Sequence, residues 1–207
     1  MSIIRASAKG DLSLVKKLLN EGTAIDSVDS SGRTALIEAA WGGFGPVLDF
    51  LLDNGASVNN ADSSGFTALM RAVEEGHAAI VEKLIKKGAD VNTRGNVRGS
   101  TPLMLAAEQG NTKIIELLLD SGAKLNAVDQ FEETALARAY RTEQLDAVNL
   151  LESRGATRKP ERSLFTHHDK DLRPFTKASI PKWSAAADDV GFDDEEPAVT
   201  EESFEEE

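Results

Sequence analysis

The segment Asp62-Ser63-Ser64-Gly65-Phe66-Thr67-Ala68-Leu69 decides the fold, because its core returns along the chain at a fixed spacing. Thr67-Ala68-Leu69 has counterparts in Thr34-Ala35-Leu36, Thr101-Pro102-Leu103 and Thr134-Ala135-Leu136, and the threonines lie 33, 34 and 33 residues apart. At 21 residues after each Thr stands a Gly-Ala pair: Gly55-Ala56, Gly88-Ala89, Gly122-Ala123 and Gly155-Ala156. A constant period of this size is the mark of one supersecondary unit repeated and stacked.

The chemistry inside a period reads as helix, turn, helix, hairpin. Each Thr is suited to cap a helix N-terminus, and Pro102 stands at the first helical position, where its missing N–H costs nothing. Small pairs such as Ala39-Ala40 and Ala106-Ala107 allow close packing of that first helix. Gly43, Gly76 and Gly110 then break the chain nine residues after the Thr. A second helix follows, with apolar stripes at helical spacing: Val47, Leu48, Leu51 and Leu52; Ile80, Val81, Leu84 and Ile85; Ile114, Ile115, Leu118 and Leu119. The Gly of each Gly-Ala pair falls where a left-handed C-terminal residue is wanted. Asn59, Asn92 and Asn126 follow at a constant offset, in the segment that leads to the next unit.

With Gly76-His77 further on, the segment from Asp62 resembles the ankyrin repeat, whose pattern is roughly D-x-x-G-x-T-P-L-H-x-A-A-x-x-G-H. The resemblance extends over about residues 1–157. It departs from the pattern in carrying Ala after three of the four Thr, and Ile37, Met70, Met104 and Ala137 where the family has His. A degenerate unit precedes the four, since Gly10 and Gly22 keep the spacing of Gly43 and Gly55. Its first helix must begin almost at Met1, so these residues are expected to be structural and not a cleaved leader. The last unit is degenerate too, with Glu132 and Glu143 in place of two glycines and Tyr140 in place of a small residue. The reading is an all-α ankyrin solenoid of five units, about 1–28, 29–61, 62–94, 95–128 and 129–157, the outer two acting as caps.

Beyond Thr157 the period stops. Residues 158–183 form a basic, Pro- and aromatic-containing linker, and residues 184–207 an acidic tail expected to be disordered; 183–207 holds 11 Asp or Glu and no Lys or Arg. The linker is expected either to drape on the last unit or to serve as a separate recognition motif. The formal charge of −12 argues against nucleic acid as partner. No apolar run is long enough for a membrane span. The absence of cysteine excludes disulfide and thiolate chemistry and suits the cytoplasm.

A catalytic reading finds little support. His77 sits at a turn, His167-His168 lies in the tail, and three His without Cys compose no zinc site of known spacing. Gly42-Gly43-Phe44-Gly45 resembles a phosphate loop, but Pro46 removes an N–H and no Lys-Ser or Lys-Thr follows. The chain is therefore expected not to be an enzyme and to use no cofactor or metal.

What the resemblance implies instead is a concave face, lined by the hairpin fingers and first helices, that grips a protein partner. The candidate contact residues are Arg33, Glu38, Trp41, Phe66, Arg71, Glu74, Arg98, Leu105, Glu108, Phe131, Arg138 and Arg141. Trp41 and Phe66 are expected to be exposed aromatics, and the finger from Arg94 to Ser100 is one residue longer than its neighbours. The expected role is an adaptor or regulatory module, monomeric on its own. The alternatives are an inhibitor that occludes a partner enzyme and an acidic escort for a basic client.

Overall fold

The structure is a computed structural model that describes residues 2–95 and 98–158. The linker beyond Arg158, the acidic tail, His167-His168 and the finger residues Asn96 and Val97 lie outside the described residues. Within them the backbone forms ten α-helices in five consecutive pairs. The first helices are α1 (Ile3–Ser7), α3 (Ala35–Trp41), α5 (Ala68–Glu74), α7 (Pro102–Glu108) and α9 (Ala135–Arg141). Their partners are α2 (Leu12–Asn20), α4 (Gly45–Asp53), α6 (Ala78–Lys86), α8 (Thr112–Asp120) and α10 (Leu145–Ser153). First helices pack on first helices and second on second, so the pairs form two parallel rows.

Each element starts where its capping chemistry stands. The hydroxyls of Thr34, Thr67, Thr101 and Thr134 accept from the backbone N–H groups of Ile37, Met70, Met104 and Ala137 at 3.2–3.4 Å. Ser2 does the same for Arg5 in the shorter α1. The expected apolar stripes face inward: Leu51, Leu84, Leu118 and Leu151 are wholly buried, whereas Leu52, Ile85 and Leu119 sit at the edge of the core. Gly42, Gly43 and Phe44 form the turn between α3 and α4, and Gly45 opens α4, in keeping with the phase of the repeat.

Neighbouring units are stitched by side chains that recur with the period. Asn59 Oδ1 accepts from Asp90 N at 2.9 Å while its amide donates to Gly88 O at 3.2 Å. Asn92 repeats both bonds with Lys124 N (2.8 Å) and Gly122 O (3.1 Å), and Asn126 accepts from Thr157 N at 2.8 Å. In the first unit Asp26 stands at this position and accepts from Ser57 N and Oγ. A second row runs through the turns. His77 reaches back to bond Trp41 O at 3.1 Å, and its ring lies so close to Gly43 that a Cβ there would come within 2.9 Å. Gly43 also has φ +71°, so it meets two demands that only glycine satisfies without strain.

The fingers are closed by backbone bonds and by aspartate. Asp29, Asp62 and Asp129 each accept, through Oδ1, from two backbone N–H groups of their own finger at 2.8–3.0 Å. The finger at 94–100 has no such Asp. It closes from Gly95 N to Ser100 O and is one residue longer, as expected. In the last unit Glu132 and Glu143 hold φ of 59° and 57°, keeping the left-handed turns of the glycines they replace.

Candidate functional site

The residue before each capping Thr and those four and seven places after it converge on the finger side of the first helices. In the second and third units they build one connected cluster. Trp41, at the end of α3, is half-buried and donates its indole N–H to Glu75 Oε1 at 3.0 Å. The Arg71 guanidinium lies 4.8 Å from the Trp41 ring centroid and 4.0 Å from that of Phe66, so a cation is layered between two aromatics. It is held there by Asp62 Oδ2 at 2.7 Å and Glu74 Oε2 at 3.0 Å. Burial works against the charge on Arg71, but these two carboxylates more than offset it and hold the guanidinium firmly protonated.

Arg33 approaches Trp41 from the neighbouring finger, 5.9 Å from the ring, and pairs with Asp29 at 2.9 Å and Glu38 at 2.8 Å. The two carboxylates respond differently. The Arg33 backbone N–H leads the effects that hold Asp29 below the usual carboxylate range. Burial pushes the Glu38 carboxyl up, and Arg33 offsets this only in part; Glu38 Oε1 is enclosed and receives no directed hydrogen bond. Trp41 stands beside two open clefts. One, of about 490 Å³, is lined by Ser30, Ser31, Arg33, Asp62, Ser63, Ser64 and Arg71. The other, of about 300 Å³, is lined by Ala8, Glu38, Gly42 and Glu75.

A related cluster occupies the last two units. Arg138, 2% exposed, bonds Asp129 Oδ2 and Ser100 Oγ at 2.7 Å each and pairs with Glu108 at 3.1 Å. Arg141 pairs with Glu108 at 3.1 Å and Glu133 at 3.4 Å. At its rim the Arg98 guanidinium lies 5.3 Å from the ring of Phe131, which is 64% exposed.

The expected contact residues thus divide. Trp41, Arg98, Phe131 and Arg141 present surface, and Arg33, Glu74 and Glu108 are partly open. Phe66 corrects the expectation of an exposed aromatic, since it joins the core and Arg71 covers it. Glu38, Leu105 and Arg138 are likewise buried, because row position alone does not reveal what the finger folds over them. Arg71 and Arg138 act first as clamps from helix to finger. Their partners Asp62 and Asp129, nine residues earlier in both cases, were not among the candidates. That shared spacing was the signal available in the sequence. Glu75, the acceptor for Trp41, had no such marker.

Among the described residues no helix is long and apolar enough to cross a membrane, and no group of three or more His, Asp or Glu is arranged to hold a metal ion. A comparison with curated proteins gives no match. A family model described as ankyrin repeats (3 copies) matches residues 3–95 and 94–160, most of the repeating region and three quarters of the chain. The chain belongs to the ankyrin-repeat family.

Proposed function

We propose that this protein is an adaptor or regulatory module that holds a protein partner along the finger and first-helix face of its array, and that it catalyses no reaction. Ankyrin repeats are generic protein-interaction modules, and stacked repeats offer an extended surface for that purpose. The observation that carries the reading is Trp41. A half-buried indole, fixed at one edge by Glu75 and layered with Arg71 beside two open clefts, is a pre-ordered anchor that would lose little side-chain freedom on binding. Phe131 with Arg98 supplies a second aromatic–cation pair on the fingers two units on.

The test is affinity capture followed by titration with the captured partner. Trp41→Ala is expected to weaken binding by at least about 1 kcal/mol, while Lys113→Ala on the second-helix row leaves it unchanged. The opposite pattern would remove this face as the site. Arg71→Ala is unsuited to the purpose, because it also breaks the clamp on Asp62.

A further inference from the structure

We infer that the cleft between Ala8, Glu38, Trp41, Gly42 and Glu75 receives a basic side chain, Arg or Lys, from a partner protein segment; this rests on the partner-binding reading of the same face. Three observations lead there. Around Trp41 stand five carboxylates, Asp29, Glu38, Asp62, Glu74 and Glu75, against two guanidiniums, Arg33 and Arg71, which leaves an excess of three negative charges when all are ionised. Both guanidiniums line the larger cleft, and neither lines the smaller. The charged residues that line the smaller are Glu38 and Glu75, the first of them paired with Arg33.

Glu75 is the one of the two without a cation: it accepts the Trp41 indole N–H and forms no ion pair among the described residues. Glu38 is 8% exposed, and its Oε1, although 2.8 Å from Arg33 Nη1, is enclosed without a hydrogen bond. Burial raises its carboxyl above the ordinary range, Arg33 offsets this only in part, and a second cation beside it would relieve more. The remaining lining suits the same guest. Ala8 and Gly42 leave room, and the indole of Trp41 offers the aromatic surface on which a guanidinium or ammonium is attracted. A volume of about 300 Å³ accommodates the end of one long side chain and not a folded element. A carboxylate-bearing guest would meet like charge on both sides.

The experiment uses the full chain with Trp183→Phe, so that Trp41 is the sole indole fluorophore. The probes are the peptides acetyl-Gly-Arg-Gly-Arg-Gly-amide and its citrulline counterpart, which keeps the shape and removes the charge. Saturable perturbation of Trp41 emission by the arginine peptide, absent with citrulline and weakened about three- to tenfold by Glu75→Gln, is the expected result. An equal response to both peptides, no response, or a response indifferent to Glu75→Gln overturns the assignment. Thermal melts of Glu75→Gln matching the parent show that the fold is intact. Capture of the natural partner separates the two claims: loss with Trp41→Ala but not with Glu75→Gln keeps the partner-binding face and removes the basic-side-chain cleft.

Discussion

Arg138 and Asp129 form an ion pair closed to solvent, with Nη2 2.7 Å from Oδ2 and side chains 2% and 0% exposed. The pair ties the last finger to α9, and Ser100 Oγ on the same guanidinium ties both to the preceding unit. A buried pair of this kind adds little over well-packed apolar residues, but losing Asp129 leaves the buried Arg138 guanidinium only Glu108 and Glu133, 3.1 and 3.7 Å away, as ion-pair partners.

Asp129→Ala is therefore expected to destabilise the array by about 3–5 kcal/mol at neutral pH. Burial opposes ionisation of Asp129, yet the Arg138 hydrogen bond and the N–H groups of Glu133 and Phe131 hold its carboxyl below the ordinary range. A depressed native value stabilises above the unfolded value of about 3.9 and is lost as pH falls through the native one. Chemical denaturation from pH 7 to pH 2.5 should show the gap between parent and variant closing only below about pH 4.

Glu38 behaves in the opposite sense. Its native carboxyl is raised, so the folded state disfavours the anion, and the resulting cost is present above the native value and gone below the unfolded one. Glu38→Gln is expected to be at least as stable as the parent at pH 7 and to lose any advantage below about pH 4. Melting curves at the two pH values check this.

The last unit keeps left-handed turns at Glu132 and Glu143, where a side chain is strained. Both residues are exposed and outside any described ion pair. Glu132→Gly and Glu143→Gly are each expected to stabilise by about 0.5–1 kcal/mol, the relief of strain exceeding the added chain entropy. Urea unfolding with an unchanged slope is the measurement.

Asn92→Ala removes two bonds to the next unit, to Lys124 N and Gly122 O. A loss of about 1 kcal/mol is expected, with hydrogen exchange rising first at the junction of the third and fourth units.

The scaffold was legible because its determinants are local. A capping Thr acts on an N–H three residues away, and the stripe that buries Leu118 is set by helical spacing. The site was legible only in part because its determinants are not. Phe66 and Trp41 occupy different rows, and their exposure depends on where the Arg71 guanidinium settles, which in turn depends on Asp62 and Glu74. Glu75 becomes a partner of Trp41 across 34 residues, a distance that no local pattern encodes.

The row of His77 on Gly43 bears on how such an array can grow. Every internal turn glycine receives a side chain from the following unit: Phe44 on Gly10, His77 on Gly43, Asn111 on Gly76 and Gln144 on Gly110. Position 143 is the one turn with no described unit behind it, and it alone carries a Cβ. Glu143 thus places a Cβ where each preceding turn receives a side chain from the next unit. A further unit stacked behind Glu143 would meet that Cβ, so such an extension calls for Gly at position 143.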